Sequence, residues 1–175
     1  MSPLSVELLH ARDLPAVMCI QAQCYTAIVP ESLPSMAAKR AASSHTCHAA
    51  WRQHALVGYL LSLPVRGLEL PPLDSPGCTI ASDADALYLH DLALSPMARG
   101  SGAGQALVQR ALAVGARLGL RRALLVAIQG SVPYWRRQGF DAVDPPTVDL
   151  RAKLASYGAD AQLMQRPLTG AASHA

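Results

Sequence analysis

The sequence has no apolar run near the roughly 18 residues needed to cross a bilayer, and it is poor in charge and in aromatic rings. Of its 175 residues only 15% are charged and 5% aromatic, with one phenylalanine. A spanning segment is thereby excluded, and no membrane partner is expected. Nor is there a basic run: the net charge of +3 comes from scattered Lys and Arg. That is weak footing for a phosphate backbone and compatible with an anionic small molecule, so no nucleic-acid partner is expected. The opening MSPLSVELLHARDLP lacks the basic start and unbroken apolar stretch of a secretory leader, which makes the cytoplasm the expected compartment. The four cysteines, Cys19, Cys24, Cys47 and Cys78, form no CxxC pair and read as buried thiols. His45, Cys47, His48 and His54 cluster locally, but on an alternating strand their side chains diverge to opposite faces, so no metal is expected.

What the chain has is apolar substance. At 51% hydrophobic residues it is long and apolar enough for one packed domain over 1–175, with a core of about 3–168 and a disordered tail at 169–175. Residues 4–11 read as a strand, with Asp13 capping a helix from Leu14 to Tyr25. A second helix is expected in PESLPSMAAKRAAS, with Pro30 and Glu31 in its N-terminal turn, and a hairpin in TCHAAWRQHALVGYLLSLP. Residues 64–85, rich in Pro and Gly, read as either a flap over a substrate or a surface insertion. ALYLHDLALSP is a strand, 102–118 a helix stopped by Gly119, RRALLVAIQ a buried strand, SVPYWRRQ a short helix, GFDAV a strand and ADAQLMQRPL the last strand.

SPMARGSGAGQALVQ places glycines at 100, 102 and 104 directly before a helix, an arrangement that offers free backbone N–H groups to an anion. A nucleotide P-loop requires Lys-Ser/Thr after the last glycine, and here Gln105 and Ala106 follow. A dinucleotide fold requires GxGxxG and an acidic residue about 20 positions on, where this chain has Arg121 and Arg122. The pyrophosphate of coenzyme A needs only the backbone donors and the helix N-terminus.

LHDLALSPMARGSGAGQALVQRAL resembles motif A of the GNAT superfamily of N-acetyltransferases, and VPYWRRQGF is similar to its second signature, an aromatic pair followed by Gly139 and Phe140. The LHDLAL and VPYW stretches also resemble the arylalkylamine N-acetyltransferase branch. The resemblance implies an α/β single-domain GNAT fold: a mixed, mostly antiparallel sheet of six to seven strands flanked by about four helices. It also implies direct acetyl transfer from acetyl-CoA to a primary amine in a ternary complex. The expected acceptor is a small molecule; a protein amine and a catalytically idle acyl-CoA-binding module are the alternatives, and the chain is a monomer or homodimer.

Carried onto this sequence, the resemblance assigns coenzyme A to the backbone of Leu92, Ala93 and Leu94, to the loop Arg99, Gly100, Ser101, Gly102, Ala103 and Gly104, and to Ser131 and Tyr134. In that family the strand before the loop splays from its neighbour. An amine is mostly protonated at neutral pH, so a base is needed: His90 and Asp91, expected on opposite faces of the strand, are the candidates, with His90 either base or structural. Asp91 is also a candidate for binding the cationic amine. The leaving-group acid departs from the pattern, since Trp135 stands where the family usually has Tyr and indole N–H does not titrate. Tyr134, one position earlier, is the candidate acid, and Ser131 either caps its helix or touches the pantetheine arm.

Overall fold

The computed structural model describes residues 3–26 and 29–169. The chain begins with β1 (Ser5–Leu8), α1 (Leu14–Cys24), α2 (Leu33–Ala42), β2 (His48–Arg52) and β3 (Ala55–Val65). After a long connection come β4 (Ala86–Leu94), α3 (Ala103–Arg117), β5 (Arg122–Ala127), α4 (Val132–Arg137), β6 (Asp141–Ala142), α5 (Val148–Ala155) and β7 (Gln162–Pro167). The seven strands form one sheet in the order β1-β2-β3-β4-β5-β7-β6. Every neighbouring pair is antiparallel except β4 and β5, whose parallel pairing requires a crossover, supplied by α3. The fold is the expected single-domain α/β arrangement, with a fifth helix added.

The alternation of the strands sorts the core into two faces. Leu87 and Leu89 of β4 pack with Leu107 and Ala111 of α3 and with Trp135 of α4. On the opposite face Tyr59 and Leu61 of β3 and Ala93 of β4 meet Val17 and Ile20 of α1 and Met36 of α2. Further along that face Tyr88 and Leu124 meet Leu150 and Leu154 of α5. Helix α5 was not read from the sequence because Pro145 and Pro146 dominate its approach. Its own signals are Thr147, whose hydroxyl accepts from Leu150 N–H at 3.2 Å, and the i, i+4 pair Leu150 and Leu154.

Other local expectations shift for identifiable reasons. Asp13 does not cap α1; its carboxylate takes the His10 N–H at 2.8 Å and closes a 3-10 turn over Ala11–Asp13. Helix α2 starts at Leu33, where the Ser32 hydroxyl accepts from Ser35 N–H, leaving Pro30 and Glu31 ahead of it. His45 lies in a 3-10 turn (Ser44–Thr46) rather than on a strand. The β6 strand is confined to two residues. Of the stretch 64–85 expected to be irregular, Pro64 and Val65 instead end β3, paired with Leu87 and Ala86 of β4; segment 66–85 is irregular and is pinned at several points. Lys153 of α5 donates to the Leu70 and Pro71 carbonyls at 2.5 and 3.1 Å, and Asp74 accepts from Ser32 N–H at 2.8 Å. The expected tail at 169–175 falls, from 170 on, outside the described residues. Among the described residues no helix is long and apolar enough to cross a membrane.

One buried group ties the core to pH. His48 on β2 is 2% exposed, and burial, with Arg110 and Arg117 adding repulsion, holds it down at about 4 against an ordinary 6.5. Between those values the unfolded chain takes up a proton that the folded chain refuses. Stability is therefore full above about pH 6.5 and falls as the pH drops toward 4, by about 3 kcal/mol. His48→Leu should flatten this part of a urea-denaturation profile against pH, while an unchanged slope would mean that another group carries it.

Candidate active site

The site begins where the sheet comes apart. Strand β4 pairs with β5 only at Ala86↔Arg122, Leu87↔Ala123 and Tyr88↔Leu124, then runs on to Leu94 paired with β3 alone, while β5 stays paired with β7 as far as Ala127↔Gln162. The divergence opens a cavity of about 300 Å³ walled by Leu92, Ala93 and Leu94 on one side and Leu125, Val126 and Ile128 on the other. Cys24 and Tyr25, at the end of α1, reach this opening: the Cys24 thiol donates to the Leu94 carbonyl at 3.1 Å and the Tyr25 hydroxyl approaches the Leu92 carbonyl at 3.4 Å.

At the far end of β4 the chain turns through the glycines. Gly100 and Gly102 have φ of +75° and +83°, the left-handed region where a Cβ is strained, and Gly102 is the N-cap of α3. Among the described residues no side chain caps this helix, so its first-turn amides are left for another acceptor. Ser101 is turned back on the loop, its hydroxyl donating to the Ala98 carbonyl at 2.6 Å, whereas exposed Arg99 lines the cavity. Ala103 and Gly104 are buried beneath the loop, and a Cβ on Gly104 would lie 2.8 Å from the Tyr134 hydroxyl.

The aromatic pair of α4 divides its work. Trp135 is 7% exposed and packs edge-on against Phe140 at 5.5 Å, as part of the core. Tyr134 lines the cavity; its hydroxyl is buried without a partner among the described residues, and burial raises its pKa, so the phenol keeps its proton. Ser131 also lines the cavity, but its hydroxyl does not cap α4; it accepts from Ile128 N–H at 3.2 Å and closes the turn after β5.

A bulge reorders the middle of β4. The register with β3 passes from Leu61↔Asp91 to Ser62↔Leu89 and leaves His90 as the extra residue. His90 and Asp91 therefore do not alternate. Both turn to the face covered by α1 and α2, because the bulge absorbs the half-period that would have separated them. Asp91 is 8% exposed and accepts from the hydroxyls of Tyr25 at 2.5 Å and Tyr59 at 2.7 Å. Burial still raises its carboxyl above the ordinary range despite these donors. His90, whose side chain is 3% exposed, binds Glu31 Oε1 through Nε2 and lies against the Tyr88 ring at 5.5 Å. Glu31 in turn accepts from Lys39 Nζ at 2.7 Å and from the Ser35 hydroxyl at 2.5 Å. Burial pushes the Glu31 carboxyl up, but the bonds from His90, Lys39 and Ser35 outweigh it and hold the group at about 2.

Sequence reasoning missed Tyr25, Tyr59, Glu31 and Lys39. Lys39 carried a signal, since it stands three positions from Met36 on the apolar side of α2 and is wholly buried there. All five tyrosines of the chain are at least partly buried, and four of them, Tyr25, Tyr59, Tyr88 and Tyr134, stand on the cavity or on the two acidic clusters beside it. Among the described residues no three His, Cys, Asp or Glu side chains are placed to hold a metal ion.

Removing one donor from buried Asp91 leaves an oxygen unsatisfied. Tyr59→Phe should cost about 1 to 3 kcal/mol in denaturant unfolding, and a loss below about 0.5 kcal/mol would show that the bond adds little to stability.

Comparison with known proteins places this geometry. The sequence model described as "Acetyltransferase (GNAT) family" matches residues 14–140. Among solved structures, the loading GNATL domain of CurA from Lyngbya majuscula superposes with a TM-score of 0.77 at 11% identity, covering 95% of this chain and 98% of that one. The ribosomal-protein-S18-alanine N-acetyltransferase from Escherichia coli gives a TM-score of 0.68 at 16% identity, with 99% of both chains covered. The GphF GNAT-like decarboxylase in complex with isobutyryl-CoA gives 0.67 at 18%, covering 94% of this chain and all of that one. At these identities the likeness is one of fold. No match was found among curated proteins.

Proposed function

The chain belongs to the acetyltransferase (GNAT) family, and on that premise we propose that it is an acetyl-CoA-dependent N-acetyltransferase that passes the acetyl group directly to the primary amine of a small molecule. The observation that carries this reading is the cavity between β4 and β5, with an uncapped helix N-terminus at one end and His90 and Tyr134 on its walls. The residues fit coenzyme A: the left-handed glycines 100 and 102 keep Cβ atoms away from the first-turn amides of α3, and an unpartnered phenol waits at Gly104.

In this reading the amides of Gly102, Ala103 and Gly104 hold the pyrophosphate, helped by the positive end of the helix, with Arg99 at the rim. The backbone of Leu92, Ala93 and Leu94, unclaimed by β5, aligns the pantetheine arm, and Ser131 lines the opposite wall. Bound acetyl-CoA supplies the acyl group already activated as a thioester. His90 takes the proton that the amine must lose, and Tyr134, its phenol kept protonated by burial, donates to the departing thiolate. Asp91 keeps negative charge on the face where a cationic amine approaches. Both its oxygens already accept a tyrosine hydroxyl, so its contribution is to the local field. The relation to the arylalkylamine branch rests on the LHDLAL and VPYW stretches.

His90→Ala should lower kcat by about 10²-fold or more with little change in coenzyme A affinity, and Tyr134→Phe by a smaller factor, measured as thiol release across a panel of amines. Gly102→Val should weaken coenzyme A binding by at least tenfold in calorimetry of the folded variant. Tight coenzyme A binding without turnover on any amine would leave the idle-module reading standing; turnover only on peptide N-termini would move the acceptor to a protein.

A further inference from the structure

The buried charges behind His90 have no part in the chemistry so far, yet they meet it at one atom. Lys39 is wholly buried on α2, and its Nζ bonds Glu31 Oε2 at 2.7 Å and the Ser35 hydroxyl at 2.8 Å. Ser35 donates to the same Glu31 oxygen at 2.5 Å. Oε1, the other oxygen, faces His90 Nε2. An ionised carboxylate only accepts hydrogen bonds, and Glu31 is held ionised against its burial by its bond and charge interaction with His90 together with the Lys39 and Ser35 donors on Oε2. The proton of a neutral His90 ring must then sit on Nε2, which leaves the lone pair on Nδ1. Nδ1 is buried and has no partner among the described residues.

We propose that Glu31, anchored by Lys39 and Ser35, is a positioning residue that fixes the tautomer and ring orientation of His90, so that Nδ1 is the nitrogen presented for proton transfer. This rests on His90 being the base. The arrangement follows the general rule that the bond made by one imidazole nitrogen sets the state of the other. Two features support a role beyond stability. Buried ion pairs are often replaced by apolar groups of similar volume at little or no loss of stability, so packing alone does not call for Lys39 and Glu31 here. Their only bond to the cavity wall, among the described residues, is made to His90. Tyr88, packed on the ring at 5.5 Å, restricts its rotation from the side. Because Nδ1 is covered in the ligand-free molecule, it takes a proton only after the acceptor has displaced part of that cover.

Single substitutions strand a buried charge, so the variant of choice is the double Glu31→Leu/Lys39→Met, which removes both. Nitrogen-15 spectra of His90 in the ligand-free protein should show one Nε2–H tautomer in the parent and a mixture in the double variant. The same variant should lose about 10- to 100-fold in kcat, with the Michaelis constant for acetyl-CoA within twofold of the parent. Unchanged tautomer and unchanged kcat in a folded double variant would overturn the proposal. His90→Ala separates this from the functional reading. If His90→Ala is inactive while the double variant is fully active, positioning fails and the base stands. If His90→Ala keeps full activity, the base fails, and the spectra still decide what Glu31 does to the ring.

Discussion

The parting of β4 from β5 after three residue pairs is the constraint on which the remaining structure turns. Inside a sheet an unpaired strand edge is costly unless something else meets its N–H and C=O groups. Part of the answer is internal, since Cys24 and Tyr25 reach over from α1 to the Leu94 and Leu92 carbonyls. The remaining edge lines a cavity with the dimensions of a ligand site. Parallel pairing of the two strands also forces the crossover that sets the N-terminus of α3 at the mouth of that cavity. The opening and the glycine-capped helix end beside it are thus consequences of one topological choice.

The bulge at His90 is the second device, and its effect is to gather charge. Without it His90 would face α3 and α4 if Asp91 kept its place, and Glu31 would have no imidazole to bind. With it, one face of β4 carries a buried histidine and a buried carboxylate in consecutive positions, each held from a different helix. Asp91 is satisfied by Tyr25, directly after α1, and by Tyr59 of β3, and His90 by a glutamate anchored on α2. Segment 66–85 then closes on the same corner, since Asp74 holds the Ser32 N–H beside Glu31 and Lys153 grips the chain at Leu70 and Pro71. The alternatives of flap and insertion therefore meet in one description: an insertion whose tip is bonded to the segment that carries Glu31.

What the sequence disclosed was whatever is encoded by local pattern. Gly100, Gly102 and Gly104 announced the loop because glycine takes left-handed turns without strain and, at 104, leaves room for the close approach of Tyr134. Apart from α5, the strand and helix order followed from periodicity and from Gly119 and the prolines. What stayed hidden was whatever depends on a register or on a contact distant in sequence. A bulge has no residue signature in LHDLAL, so strict alternation put His90 and Asp91 on opposite faces. Glu31 and His90 lie 59 positions apart, and only folding brings them together. Tyr134 and Trp135 were ambiguous for a related reason: a rotation of about 100 degrees separates neighbours on a helix, and packing against Phe140 decides which ring turns inward.

That last choice decides which ring faces the cavity. With Trp135 committed to the core, the phenol one position earlier is the only titratable group of α4's aromatic pair that meets the cavity. Its hydroxyl lies so near Gly104 that any side chain there would displace it, which couples the glycine loop to the aromatic signature through a single contact. The two stretches that look like separate motifs in the sequence are therefore one object in space. Gly104 serves twice, freeing an amide at the helix end and leaving room for the phenol, so the displacement of Tyr by one position is accommodated by packing at a site about 30 residues away in the chain.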